Sequence, residues 1–255
     1  MESKKELVIL NKFKEDFLKV KQMGWIPSNR FHDTGIGKTF EDLIGIVENN
    51  NRLADYKAVL ELKSKRALSE SMVTLFTKSP TFPKRINSIL RVKYGQPDKN
   101  FPNCKIIHTT VSATRFNTFI NKFGFKLEID KNLQKVSLIV KDLPTDQIID
   151  KDSYYSFKDL QNIIENKCKY IAVIYADNKK EGGKEYFKFT KAILMSGLDF
   201  DKFIKLVNEE IIVYDIRLGV YGTGKNKGKP HDHGSAFRLT EKSLPFLFKI
   251  HKKIL

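Results

Sequence analysis

The chain has 255 residues, 41% of them apolar and 30% charged, enough to bury a core and too apolar for intrinsic disorder. Its 46 lysines and arginines against 30 acids leave a net charge of +16, which points to a polyanionic partner, nucleic acid first and an acidic membrane surface second. The two cysteines, Cys104 and Cys168, exclude a disulfide scaffold or a four-cysteine zinc module, and with no apolar signal core and no membrane-length apolar run the expectation is a reducing, cytoplasmic setting.

In chain order, residues 5–23 space Leu7, Leu10, Phe13, Phe17 and Val20 three or four apart with Gly24 just beyond, which predicts an amphipathic helix with a glycine stop. Thr39 followed three positions later by Asp42 reads as a capping box that opens a short helix. Its core stripe is Phe40, Leu43, Ile44 and Val47, and Glu41 lies beside it on the face shared with Gly45 and Glu48. A turn at 48–51 leads into 56–63, short and rich in Val and Leu, which favours a strand. The stretches 125–129 and 136–140 bracket Asp130-Lys131-Asn132 in the pattern of a hairpin. Ser156 and Asp159 cap a helix with Leu160, Ile163 and Ile164 inward, and it runs into the apolar stretch 170–175; a helix followed by such a strand predicts a mixed α/β sheet. A helix at 200–207, a strand at 211–218, a glycine- and lysine-rich loop at 222–230, the run His231-Asp232-His233-Gly234 and a last helix near 243–251 complete the reading.

Chemistry concentrates around the candidate strand. Glu61 and Lys63 are two residues apart, so on an extended backbone both point to one face while Leu62 points to the core, and Asp55 can approach from the turn entering the strand. Two carboxylates and the backbone carbonyl of Leu62 are hard oxygen donors suited to Mg²⁺, and a lysine beside them could orient or deprotonate a water and offset phosphate charge. The same pattern also suits a half-buried strand with its polar residues outward. Glu2/Lys4, Asp55/Lys57, Glu165/Lys167 and Asp177/Lys179 repeat the acid-x-lysine spacing, the last in what reads as a solvated hairpin turn.

Gly35-Ile-Gly37-Lys38-Thr39 carries the end of a phosphate-binding P-loop, but His32 stands where the pattern wants glycine; in the second such stretch Asn226 replaces the required hydroxyl after Lys225. His231 and His233 could hold a transition metal, although Cys104 and His108 are distant in sequence, or offer neutral imidazoles to base edges. Asp215 and Arg217 alternate along the preceding strand, Lys225, Lys227 and Lys229 alternate through the loop, and Arg238 follows. Arginines suit bidentate contacts to guanine and lysines suit phosphates.

Several longer stretches carry a family resemblance: Thr34 through Leu43, Thr74 through Pro80, Leu160-Gln161 with Lys169 through Ile174, and Asp215 through Gly219 continuing from Lys229 to Arg238. In these the chain resembles the MvaI/BcnI-type restriction endonucleases, close in fold to the mismatch-repair nickase MutH and part of the PD-(D/E)XK nuclease superfamily. The resemblance implies an α/β (α+β) fold with a mixed central sheet flanked by helices, and two lobes around a DNA cleft, 1–150 mainly catalytic and 151–255 mainly for recognition, with room for strands to interleave between the two. It makes Asp55, Glu61 and Lys63 the metal-binding and catalytic set, with Glu41 as an additional helix acid. Asp215, Arg217, His231, His233 and Arg238 become the expected major-groove readers, with Asp232 in the same loop and Lys225 and Lys227 on the DNA backbone. It further implies Mg²⁺, double-stranded DNA of a short CCWGG-like site, action as a monomer, 5′-phosphate and 3′-hydroxyl products, and a cognate DNA methyltransferase. A catalytically silent DNA-binding protein would keep the basic loop and the histidines but need no acids beside Lys63.

Overall fold

The computed structural model describes residues 4–31, 34–47, 53–69 and 71–255. The chain opens with helix α1 (Lys4–Gln22), short strand β1 (Ile26–Pro27), helix α2 (Gly35–Leu43) and strand β2 (Leu60–Arg66). Next come β3 (Val73–Thr77), α3 (Ile86–Tyr94), β4 (Gln96–Pro97) and β5 (Lys105–Val111), then three consecutive strands, β6 (Phe123–Asp130), β7 (Lys135–Asp142) and β8 (Gln147–Ser156). Helix α4 (Phe157–Lys167) leads to the long pair β9 (Tyr170–Glu181) and β10 (Lys184–Ser196). Helix α5 (Phe200–Asn208) leads to β11 (Val213–Val220), β12 (Pro230–Asp232) and β13 (Ala236–Leu239), and a 3-10 turn, α6 (Leu244–Leu247) and β14 (Lys249–Ile254) follow. The architecture is the mixed α+β type expected, and no described helix is long and apolar enough to cross a membrane.

The chain's segments interleave across residue 150, as strands contributed from both halves of the sequence require. The chain forms two compact units from these segments: Met1–Ser71, Ile163–Asp199 and Leu244–Leu255 in the first, Met72–Asn162 and Phe200–Ser243 in the second. A single cut point fails because strands far apart in sequence share a sheet, and local patterns carry no record of that pairing.

In the first unit β10 pairs antiparallel with β9 on one side and with β1 and β14 on the other, while β9 pairs in parallel with β2. The whole run from Tyr170 to Ala176 is buried, as a central strand covered on both faces must be. Helices α1 and α2 supply Phe13, Phe17, Ile36 and Phe40 to a core shared with Leu60, Leu62, Ala172 and Phe189. The first helix ends as predicted, but Leu7 is 44% exposed and Ile9 takes the inward place.

Other expectations are corrected. Helix α2 starts at Gly35, so Thr39 lies inside it, fully buried, and its Oγ1 accepts a hydrogen bond from the Asn29 N–H at 3.0 Å instead of capping. Val47 lies past the helix and is exposed, while the expected turn at 48–51 falls outside the described residues. Strand β2 begins at Leu60, not at 56, and Asp177 and Lys179 belong to β9, whose turn is Gly182-Gly183. The last helix stops at Leu247; the chain from Lys249 onward pairs instead with β10, whose edge offers unmet hydrogen-bonding groups that outweigh helical spacing.

The second unit has β11 as its spine. It pairs with β5 on one side, with β13 and β12 on the other, and β3 and β4 form the outer strands. The predicted hairpin is present as β6 and β7, and β8 extends it to a three-stranded sheet. Ser156 caps α4 as expected, its Oγ accepting from the Asp159 N–H at 3.1 Å. Tyr155, Phe203, Tyr214 and Phe237 stack edge-on or tilted at 5.2–5.5 Å between ring centres, forming this unit's aromatic core.

Two stability outcomes follow from the first unit. The fully buried Phe40 ring contacts Phe13, Phe17 and Phe189, so Phe40→Ala should cost about 3–5 kcal/mol in denaturant unfolding. Arg66 grips Glu185 with two hydrogen bonds of 2.8 Å, and this guanidinium holds the Glu185 carboxyl below the usual 4.5. The stabilisation is therefore complete above the unfolded value and lost as pH falls through the lower folded one. Glu185→Gln should lower Tm at neutral pH, with the difference from wild type shrinking as pH drops below about 4.

Candidate active site and nucleic-acid interface

In the first unit a tight turn delivers Asp55 to the start of β2. Tyr56 and Leu60 exchange backbone hydrogen bonds of 2.9 and 3.1 Å, and between them Lys57 and Ala58 adopt φ of 50° and 58°. Neither is glycine, so the turn carries strain of the kind that persists where the surroundings over-determine a backbone. One such anchor is the Tyr56 hydroxyl, which donates to Asp16 of α1 at 2.7 Å. The Asp55 Oδ2 then accepts the Leu62 N–H at 3.1 Å, and the Leu62 side chain enters the core as predicted.

Glu61 and Lys63 share a face. Lys63 Nζ donates to Glu61 Oε1 at 2.7 Å, and Glu61 is only 4% exposed. Its other oxygen, Oε2, is buried without a hydrogen-bond partner among the described residues. Burial pushes the Lys63 ammonium down, but the attraction of Glu61, with Asp55 adding to it, outweighs that and leaves Lys63 above the ordinary lysine value. Lys63 is thus a charged donor at neutral pH. Nearby Cys168 is fully buried, its thiol pushed up to about 12 by that burial, and it is not a nucleophile.

Glu41 sits half-buried on α2, which packs against β2, but the structure does not gather it with Asp55 and Glu61: among the described residues no three His, Cys, Asp or Glu side chains converge as a metal cluster. The P-loop reading fails outright, because Gly35 to Thr39 form the helix itself and Lys38 is paired with Asp42 at 2.6 Å; His32 lies outside the described residues.

In the second unit the sequence-singled residues line β11 and the hairpin after it. A cavity of about 440 Å³ is walled by His108, Thr109, Thr110, Asp215, Ile216, Arg217 and His233. Arg217 faces His108 across the β11–β5 pairing, and its guanidinium makes no hydrogen bond or ion pair among the described residues. The edge of the His233 ring sits against Gly219, where an added Cβ would meet its Nε2 at 2.3 Å and the His108 Nε2 at 3.1 Å, so a side chain there would displace the ring. His231 stacks on Tyr221 at 4.0 Å and meets His233 edge-on at 4.4 Å. Burial, then Arg217, lowers His108, and burial, then the His231 ring, lowers His233, so both imidazoles are neutral at neutral pH.

Other expected readers are already engaged. Arg238 gives Nη1 to Asp215 Oδ2 at 2.5 Å and Nη2 to the Met72 carbonyl at 3.0 Å, and Asp215 Oδ1 accepts from Thr110 at 2.6 Å. This corrects the picture of a free bidentate fork: Asp215 and Arg238 form a half-buried ion pair in the cavity wall. Asp232 is likewise occupied, its Oδ1 accepting the N–H groups of Gly234 and Ser235 at 2.9 Å. Lys225, Lys227 and Lys229 are exposed on a hairpin closed by the Tyr221 N–H to Lys229 carbonyl bond. Sequence reading missed His108 and Thr110; the alternation of 105–111 was their only signal, and it says nothing of β11 as neighbour.

Comparison with known proteins identifies the family. The chain matches the MvaI/BcnI restriction endonuclease family over residues 14–248. Among solved structures it is similar to restriction endonuclease MvaI in a complex with its cognate DNA substrate, 39% identical with a TM-score of 0.91 and 100% of both chains covered. It is also similar to MvaI in the absence of DNA, 37% identical with a TM-score of 0.60, over 100% of this chain and 99% of that one. None of the curated proteins matches. A buried acid paired with a strand lysine, a basic hairpin beside neutral imidazoles and a match across most of the sequence together place the chain in the MvaI/BcnI family of restriction endonucleases, as a site-specific DNA-cleaving enzyme.

Proposed function

We propose that the chain is a Mg²⁺-dependent type II restriction endonuclease that hydrolyses double-stranded DNA at a short, nearly palindromic site of the CCWGG kind, leaving 5′-phosphate and 3′-hydroxyl ends. The observation that supports the metal is the buried, unpartnered Glu61 Oε2 beside the turn-held Asp55. A buried anionic oxygen is costly unless a cation satisfies it, and two hard carboxylates fit Mg²⁺, an ion that keeps several waters and is held by few protein ligands. Asp55, Glu61 and the Leu62 carbonyl would hold it; Glu41, which the structure does not gather with them, has no part in that set. When bound, the ion supplies Lewis-acid polarisation of the phosphodiester and acidification of water.

The chain's own residues do the rest. Lys63, held beside Glu61 at 2.7 Å, donates a hydrogen bond to the attacking water and offsets charge growing on phosphorus. Water oxygen bonds to phosphorus in line as its proton passes to solvent, the bond to the 3′ oxygen breaks, and the 3′ oxygen takes up a proton from solvent. Arg217, His231 and His233 face base edges, with the neutral His233 ring able to accept as well as donate, while Lys225 and Lys227 neutralise phosphates. The enzyme acts as a monomer in the cytoplasm beside a methyltransferase that protects the same site, a setting that suits two buried free cysteines.

A plasmid digest tests the chemistry. Lys63→Ala and Glu61→Gln should each lower cleavage by at least about a hundredfold, and Glu61→Gln should bind DNA at least as tightly as wild type without Mg²⁺, because a carboxylate beside the phosphates is gone. Undiminished cutting by Lys63→Ala sinks the mechanism; binding with no Mg²⁺-dependent breaks in the wild type points to a silent binder. Recognition separates by residue. Arg217→Ala should relax site choice by about 1–3 kcal/mol, Lys227→Ala should weaken all sequences alike and flatten the salt dependence. Arg238→Ala should instead lower Tm sharply, since it strands Asp215 at 8% exposure without its cation.

A further inference from the structure

Helix α3 holds nothing that the sequence singles out, yet two of its residues one turn apart grip the base-reading loop from behind. Asn87 Nδ2 donates to Asp232 Oδ2 at 2.6 Å and to Ser79 Oγ at 2.7 Å, and Arg91 Nη2 donates to the His231 carbonyl at 3.0 Å. Asp232 passes the restraint on: besides the two N–H groups, its Oδ1 accepts the Ser235 hydroxyl at 3.2 Å. Ser235 Oγ in turn accepts the Arg217 N–H at 3.0 Å, and the His233 N–H donates to the Arg217 carbonyl at 2.9 Å. A continuous run of hydrogen bonds therefore ties α3 to Arg217, His231 and His233.

The grip is energetically expensive. Arg91 is 7% exposed and forms no ion pair among the described residues, its Nε and Nη1 are buried without partners, and so is Asn87 Oδ1. A buried guanidinium satisfied at one nitrogen is worse for stability than an apolar side chain of similar length. What Arg91 does that methionine would not is hold the His231 carbonyl in place. Directional contacts to base edges tolerate little misplacement, so a restraint on the loop backbone translates into discrimination between base pairs.

We infer that Asn87 and Arg91 are positioning residues that set sequence discrimination without touching DNA. The inference rests on the reading that this loop faces base edges. Its test compares wild type, Arg91→Met, Arg91→Lys and Asn87→Asp on duplexes carrying the preferred site and on the same duplexes with one base pair changed. Discrimination is read both as relative cleavage in Mg²⁺ and as relative affinity without it, beside Tm and affinity for a site-free duplex. Arg91→Met should unfold at the wild-type temperature or above, bind site-free DNA as wild type does, and lose discrimination by about tenfold or more. Arg91→Lys, whose ammonium can reach the same carbonyl, should recover most of it. Asn87→Asp, which sets a carboxylate against Asp232, should lose it. Unchanged discrimination in Arg91→Met, or losses that merely track a fall in Tm, overturns the inference. A wild type that prefers one sequence but cuts none would fail the cleavage reading alone, since the affinity ratio still decides this one.

Discussion

A carboxylate buried in the wall of a sheet is tolerable only beside an opposite charge, and Glu61 meets that condition through Lys63, two residues on along the same strand and 2.7 Å away. Much of the first unit serves this pair. An extended backbone is needed to turn both side chains to one face, and parallel pairing with the buried strand β9 holds β2 extended. Leu62 between them anchors in the core built by α1 and α2, and the strained turn at Lys57 and Ala58 brings Asp55 to the Leu62 N–H. One oxygen of Glu61 remains unmet among the described residues, so the arrangement is neutralised only in part and leaves a local negative potential in an otherwise basic chain.

The second unit solves the opposite electrostatic problem. The two acids beside its histidines are spent inside the protein, Asp215 on Arg238 and Thr110, Asp232 on its own loop and Asn87. The charge left exposed on the hairpin is cationic, and the rings of His108 and His233 are neutral. Gly219 lets His233 lie against the strand backbone, trading a side chain for a rigid ring platform. Cationic charge and neutral rings thus belong to different residues of this unit.

Legibility in the sequence followed the range of the interactions concerned. Helix α1, the β6–β7 hairpin and the Ser156 cap are decided by neighbours within a few residues, and all three were readable. Glu61 and Lys63 were readable for the same reason, since two-residue alternation brings them together. Thr39 looked like a cap but is held inside α2 by Asn29, and the terminal residues looked helical but complete the edge of β10. Arg238 looked like a free fork until Asp215 came alongside it through the pairing of β11 with β13. His108, Asn87 and Arg91 act through partners over a hundred positions away, and no local pattern marks them. The resemblance to a family carried the cleavage reading further than spacing alone could.

The interleaving of the two units also orders events at the ribosome. Every residue of the second unit is synthesised before β14, the strand that pairs with β10 in the first. The sheet that carries Glu61 and Lys63 therefore gains its last strand only after the second unit has been made in full. Under the roles proposed above, a nascent chain holds every residue for choosing a sequence before the sheet behind its cutting centre is finished.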